Sequence, residues 1–330
     1  MEKVYQHATG SIRVTPSGES RWRVEVEPVD AGVYIFRPSC HTSYPPDLVG
    51  AIFKRKGVSW VCFEILRDED PDFVQMDLTA SLLGYRPPEA FDKSRILDFG
   101  CGAGASTVIL ARMFPSARVI GVDLERAELE IARRRAFFHG LDNVEFLVSP
   151  DPASLPAGIG SFDFVNFSAV FEHLLPAERR TLLPAVWDLL PPGGVLFVNQ
   201  TPNRLFPVER HSSGIPLINY LPDWLAFKLA GRWARLGRDE SWEGMLRGGI
   251  RGGTAGEIMR LLPVGVSGSP VLLEPACRGY RDRIDLWYDQ YRARGTPLIM
   301  RVAYLLLKAI HRATGVVLTH SLSLAFEKRG

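Results

Sequence analysis

The chain has 330 residues, 46% hydrophobic and 23% charged, an ordinary globular composition that allows one large domain with additions or two domains. A formal net charge of +2 leaves no bulk electrostatic footprint for nucleic acid. Four scattered cysteines, Cys40, Cys62, Cys101 and Cys277, contain no Cys-x-x-Cys pair, which argues against a zinc or disulfide framework and for a reducing, cytoplasmic setting.

Met1 to Gly18 is polar, so no signal peptide is expected there. Arg21 to Glu27 alternates at period two, and Val33 to Phe36 follows a turn at Asp30-Ala-Gly32, which predicts a small hairpin. Leu48 to Arg67 reads as helix then strand, Asp68 to Asp72 as a charged turn, and Phe73 to Tyr85 as a helix ending near Gly84. Residues 1–90 are therefore expected to form an addition, a cap or dimer element, ahead of a main domain over 91–330.

The main domain opens with an apolar strand, Ile96 to Phe99, that carries Asp98 and runs into Gly100, Gly102 and Gly104. Glycine at these positions lets the backbone turn tightly and approach a ligand closely. A helix from Ser106 to Phe114 is stopped by Pro115, and Arg118 to Asp123 is a second buried strand ending in a carboxylate. Strand, glycine turn, helix and strand with a terminal acid make a nucleoside-binding half, the acid placed for ribose hydroxyls. Downstream follow a helix from Ala127 with Gly140 as its C-cap and strands Asn143 to Val148 and Phe162 to Phe167. Next come a helix ending before Pro191-Pro-Gly-Gly194 and a fifth strand, Val195 to Gln200.

The glycine spacing separates two ligand classes. Dinucleotide binders favour G-x-G-x-x-G, with a pyrophosphate on the helix N-terminus. Here the spacing is G-x-G-x-G, and Asp98 just before it would repel a pyrophosphate but suits an ammonium group. The segment Leu97-Asp-Phe-Gly-Cys-Gly-Ala-Gly104 resembles the first motif of class I S-adenosylmethionine-dependent methyltransferases. Val119-Ile-Gly-Val-Asp123 looks like their second motif, and Asp151 resembles the acid that reads the adenine amino group, although Ser149-Pro150 stands where the family has a glycine. The resemblance implies an α/β fold: a seven-stranded Rossmann-like sheet with helices on both faces, and insertions at about 201–250 and 276–318. It implies S-adenosyl-L-methionine as cofactor, S-adenosyl-L-homocysteine as product, and cofactor contacts from Asp98, Gly100, Cys101, Gly102, Gly104, Asp123, Leu124, Asp151 and Ser168.

Open α/β sheets bind ligands beyond the carboxyl ends of their strands. That edge receives Asn166 to His173 and the polar, proline-bounded loop Thr201 to His211. If the acceptor is a hydroxyl, a histidine near neutral pH is the natural base. His211 and His173 are the candidates, with Glu209 and Glu172 to orient them or act themselves, and Arg204 and Arg210 for an anionic acceptor. The other histidines show no partner pattern, so no metal site is expected.

Val264 to Leu273 and Ser321 to Glu327 read as strands six and seven. Between them the apolar run from Leu298 to Ile310, bounded by Pro297 and Gly315, is too short and charged for a membrane span and is expected as a buried helix. The alternative is a basic-rimmed apolar surface, shared with Pro216 to Ala230, that touches a membrane. The function expected is methylation, by oxygen chemistry, of a small-molecule, lipid or glycan acceptor, with no nucleic-acid partner. Two alternatives remain: an NAD(P)-dependent oxidoreductase, disfavoured by Asp98 and the glycine spacing, and a non-catalytic module keeping the fold.

Overall fold

The computed structural model describes residues 2–233, 241–265, 268–292 and 298–330. Residues 266–267 of the expected sixth strand, 234–240 and 293–297 of the expected insertions, and Pro297 with them, lie outside the described residues.

Strands β1 (Lys3–His7), β2 (Gly10–Pro16), β3 (Trp22–Pro28) and β4 (Ser39–Thr42) form an antiparallel sheet in chain order. The alternating segment at Arg21 to Glu27 is β3, but Val33 to Phe36 is not its partner. β3 pairs with β2 and β4, in a register that sets Ile12 against Val26 and Val14 against Val24. All four of these side chains are buried, so apolar-on-apolar cross-strand pairing decides the register. Helix α1 (Pro46–Glu69) occupies the stretch expected as helix then strand. Its continuity breaks at Gly57 (φ 61°), a left-handed residue between two helical segments, and both bury apolar side chains at helical spacing.

There follow α2 (Met76–Leu83), β5 (Arg95–Phe99), α3 (Ala105–Met113), β6 (Arg118–Asp123), α4 (Arg126–Phe138) and β7 (Val144–Val148). Then come β8 (Phe164–Ser168), α5 (Pro176–Asp188), β9 (Val195–Pro202), α6 (Asp223–Trp233), α7 (Trp242–Arg247) and α8 (Ala255–Leu261). The described chain closes with β10 (Ser269–Leu272), α9 (Arg283–Arg292), α10 (Leu298–Thr314) and β11 (Ser321–Arg329). Seven strands make the mixed sheet of the α/β class expected from the motifs.

The chain divides into two compact units, Met1–Met76 with Cys101–Val148, and Asp77–Gly100 with Ser149–Gly330. In the first unit β6 and β7 are parallel. Its core joins the four-stranded sheet and α1 to Ala103 and Ile131. At its centre Arg135, fully buried on α4, donates to the carbonyls of Ala103 (3.2 Å) and Glu64 (2.7 Å). The same guanidinium lies 3.1 Å from the Glu64 carboxylate and 3.7 Å from that of Asp68. The Tyr44 hydroxyl donates to Asp68, and His139 Nε2 reaches it at 3.4 Å.

In the second unit the strand order is β10-β11-β9-β8-β5, with β5, β8 and β9 parallel and β10 and β11 antiparallel. Phe91, Phe164 and Phe197 pack together in its core. Helix α10 departs from the buried helix expected of it. Lys308 and Tyr304 face the protein: Lys308 Nζ pairs with Asp282 (2.6 Å), and the Tyr304 hydroxyl donates to Asp285 (2.8 Å). Leu298, Ile299, Val302, Leu305 and Leu306 are exposed, Leu298 at 76%. Apolar residues at these intervals share one helix face, so the amphipathicity is inverted: the apolar stripe points away from the body. No helix among the described residues is long and apolar enough to cross a membrane.

Candidate active site

In the first unit the glycine turn leads from the chain before it into α3. The Cys101 amide donates to the Val122 carbonyl (3.0 Å), tying the turn to β6. Gly102 has φ 52°, and a Cβ there would meet nothing within 4 Å, so the backbone faces open space in a conformation that glycine favours. Its amide donates to Asp123 Oδ2 (2.8 Å), and the Glu125 amide donates to Asp123 Oδ1 (3.0 Å). Asp123 is thus fixed at the carboxyl end of β6, each oxygen keeping a free lone pair for a ligand hydroxyl. Leu124 beside it is 43% exposed, an apolar surface next to the acid. Open glycine backbone, a fixed strand-end carboxylate and an exposed leucine fit a nucleoside cofactor at this end of the first unit.

In the second unit Asp98 is 1% exposed at the end of β5. A buried chain of side chains runs across three strands to it. Asn199 Nδ2 donates to Asn166 Oδ1 (3.0 Å), and Asn166 Nδ2 donates to Asp98 Oδ1 (2.8 Å). Neither asparagine was singled out from the sequence, because the β8 and β9 positions become neighbours of Asp98 only through strand pairing. Ser168 lies at the end of β8, its hydroxyl 3.4 Å from Gln200 Oε1, and Gln200 donates to Asp77 (2.7 Å). Asp151 is exposed, with Oδ1 accepting from the Ala153 amide (2.8 Å). The Ser154 side chain and the Ala153 amide hold its carboxyl below the usual value.

Past β8 and β9 the same unit brings together Glu172, His173 and His211. One donor atom from each lies within 4.8 Å of the others. The two imidazoles are 5.4 Å apart between centroids, and His173 Nε2 is 4.0 Å from Glu172 Oε1. Glu172 is 1% exposed; its Oε2 accepts from the Thr201 hydroxyl (2.8 Å), while Oε1 has no hydrogen-bond partner among the described residues. Burial pushes the Glu172 carboxyl up, and the charge of His173 opposes the rise.

His173 Nδ1 is 2.6 Å from the Arg247 carbonyl. A carbonyl only accepts, so Nδ1 donates, and Nε2 is the ring nitrogen turned toward Glu172. Arg247 is itself clamped by both oxygens of Glu178 on α5 (2.5 and 2.6 Å). Gly249 (φ 85°) closes the cluster: a Cβ there would stand 2.7 Å from His211 Cδ2 and 3.3 Å from Glu172 Cγ. Crowding strips part of the water from the otherwise exposed His211 ring and, with the charge of His173, lowers its pKa below the ordinary imidazole value.

Glu209 is placed differently. It is 2% exposed and accepts from the amides of His211 (2.7 Å), Ser212 (3.0 Å) and Ser213 (2.5 Å), and from the Ser212 and Ser213 hydroxyls. With its oxygens occupied, it shapes the turn that carries His211. Asn203 anchors the same loop through the carbonyls of Val317 and Thr319. Arg210 is exposed.

Residues 96–194 match the family model described as a methyltransferase domain. Over this span the chain matches a methyltransferase domain, in line with the motifs that resemble class I S-adenosylmethionine-dependent methyltransferases and with S-adenosyl-L-methionine as the cofactor. Among curated proteins it is similar to a trans-aconitate 2-methyltransferase of Methylobacterium radiotolerans, 37% identical over 40% of this chain and 46% of the relative. It is also similar to a ubiquinone biosynthesis O-methyltransferase of Brucella anthropi, 33% identical over 50% of this chain and 62% of the relative. Among solved structures, a SAM-bound amino pentose methyltransferase from Micromonospora echinaspora matches at 32% identity over 37% of this chain and 50% of that one, with a TM-score of 0.31. The chain spans about half the length of the curated relatives it matches.

Proposed function

We propose that the protein methylates a hydroxyl oxygen of a small-molecule acceptor. The observation that carries this reading is the Glu172–His173–His211 cluster, which the second unit sets beyond the carboxyl ends of β8 and β9. Bound S-adenosylmethionine supplies an electrophilic methyl on a sulfonium. As the oxygen–carbon bond forms and the carbon–sulfur bond breaks, the hydroxyl proton has to leave, and a neutral His211 is the group that takes it. His173 holds the second imidazole beside it. The relative named for ubiquinone O-methylation favours oxygen as the acceptor atom. For the cofactor, Asp98, Gly100, Cys101, Gly102, Gly104, Asp123, Leu124, Asp151 and Ser168 are the proposed contacts.

The test is calorimetric titration with S-adenosylmethionine alongside transfer of its labelled methyl into small-molecule extracts. Asp123→Ala is expected to weaken cofactor binding, since each ribose hydrogen bond is worth about 0.5–1.5 kcal/mol net and more when charged. Thermal unfolding run in parallel separates this loss from slackening of the Gly102 turn. Unchanged affinity in a folded Asp123→Ala protein would remove Asp123 from the cofactor site.

The outward apolar face of α10 favours an acceptor borne on, or drawn from, a lipid surface. The helix carries the exposed Arg301 and Arg312 and no acidic residue, a charge complement to anionic headgroups. The protein is expected to sediment with vesicles containing anionic lipid, less so as salt rises. The double change Leu305→Asp and Leu306→Asp is expected to abolish sedimentation while the fold persists, because both side chains are exposed. Sedimentation unaffected by the double change would assign lipid contact to another surface.

A further inference from the structure

We infer that Glu172, His173 and His211 form a binding site for a divalent transition-metal cation. Three independent features of the geometry converge. One donor atom of each residue lies within 4.8 Å of the others, an arrangement that the cation's mutual attraction of ligands would tighten. Ligand bonds of about 2.0–2.2 Å place neighbouring donors roughly 3.0–3.5 Å apart, so the trio has to close by about 1 Å. His211, itself exposed, is the ligand that has to move, on the turn that Glu209 holds.

The second feature is Glu172 Oε1, a buried carboxylate oxygen without a hydrogen-bond partner among the described residues, lying 4.0 Å from His173 Nε2. Buried polar atoms are nearly always satisfied, and an unmade bond there asks for a missing partner. The third is the outer shell. His173 donates from Nδ1 to the Arg247 carbonyl, and Arg247 is clamped by Glu178. Metal-ligating histidines commonly donate their other ring N–H to a carbonyl or carboxylate in this way, which fixes the tautomer and aims the lone pair. Glu172 is held likewise by Thr201 through its other oxygen.

The donor set selects the ion. Two imidazoles and one carboxylate suit zinc, manganese, iron or cobalt, whereas magnesium and calcium prefer all-oxygen shells. Three protein ligands leave at least one position open, the pattern of a catalytic rather than a structural site. His211 joins its partners only through the fold, so their linear order carries no sign of the site. The cation site stands on geometry alone; its bearing on methyl transfer rests on the proposed function. With the ion in place His211 is a ligand, and the acidity of the acceptor hydroxyl is raised by the cation's charge instead of by a base.

The test uses the full chain, stripped with a chelator and titrated with Co²⁺, whose visible absorption reports its coordination. One Co²⁺ per chain is expected, displaced by Zn²⁺. Loss of an outer-shell partner alone costs about 10–100-fold in metal affinity, so His211→Ala and His173→Ala should each weaken Co²⁺ binding at least that much. Glu172→Gln is compared with them, with unfolding transitions recorded for all three. Because His211 is exposed, His211→Ala is expected to fold and keeps the test decisive. Failure to bind Co²⁺ in stoichiometric amount, or binding indifferent to both histidine changes, would overturn the site. Full methyl transfer by the stripped protein would overturn the cation's role but leave the proposed function intact. Tight histidine-dependent binding without any methyl transfer would uphold the site and overturn the function.

Discussion

Changing His211 to alanine is expected to lower the methyl-transfer rate by about 10²–10⁴-fold, the range for loss of a positioned proton-transfer group. S-adenosylmethionine affinity should not change, because the residues proposed for the cofactor lie in and around the glycine turn, Asp123, Asp151 and Ser168. The fold should not change either: His211 is exposed, and the turn that carries it is held by Glu209 through backbone amides that the substitution keeps. Loss of hydration around the ring, and next the charge of His173, lower the His211 pKa. The ring is therefore neutral at physiological pH, and the wild-type rate should fall only on the acid side of the ordinary imidazole range. The alanine variant should lose that acid limb along with most of its rate. Removal of the ring is costly whether it takes the proton or holds a cation, and the Co²⁺ titration tells these apart. Full turnover by the variant at neutral pH would take His211 out of the chemistry. By contrast, Glu209→Gln should act on loop stability first, since the carboxylate organises amides and hydroxyls and faces no reacting group.

The strand–turn–helix–strand segment was legible because its pattern is local. Asp98, the three glycines and Asp123 stand close together in sequence, and the strand–turn–helix–strand rhythm fixes where each falls. The cluster of Glu172, His173 and His211 was legible only in its parts. Thr201 to His211 could be placed after a strand, and His173 after another, yet nothing in the linear order says that the two imidazoles meet over Glu172. The contacts that aim them, the Arg247 carbonyl and the bare backbone of Gly249, come from α7 and the turn after it. A backbone carbonyl carries no sequence signal, and a glycine chosen for close approach looks like any loop glycine. Helix α10 misled for a different reason. Its apolar stripe reads the same whether it faces inward or outward, and only the Lys308 and Tyr304 contacts with Asp282 and Asp285 show which face meets the body. At the N-terminus, Leu48 to Arg67 was read as helix then strand, whereas α1 resumes beyond Gly57 because both flanking segments have helical apolar spacing.

Changing Arg135 to methionine is expected to destabilise the protein by about 3–5 kcal/mol, the cost of removing one partner from a buried ionic network. Methionine keeps much of the aliphatic volume, so the loss is electrostatic more than a cavity effect. Arg135 is completely buried and serves Ala103, Glu64 and Asp68 at once, joining α1 to α4 and the glycine turn. Without it, the Asp68 carboxylate keeps Tyr44 and His139 as its partners among the described residues. In the native protein burial would raise the Asp68 carboxyl, but the Arg135 charge, with His139 and Tyr44, outweighs burial and holds it below its ordinary value. A carboxylate depressed in this way contributes stability above its unfolded pKa, near 3.9, and that contribution is lost as pH falls through the lower folded value. In the variant the balance reverses: burial dominates, the neutral acid is favoured, and the deficit should shrink toward acid pH and grow as pH rises. Adding Asp68→Asn to Arg135→Met should recover part of the loss at neutral pH by removing the unpaired charge. Urea midpoints at neutral and acid pH measure all of this. A midpoint unchanged by Arg135→Met would mean that packing, with no help from the guanidinium, holds α1 against α4. A deficit independent of pH and untouched by Asp68→Asn would place the cost in lost packing and carbonyl hydrogen bonds rather than in the charge left on Asp68.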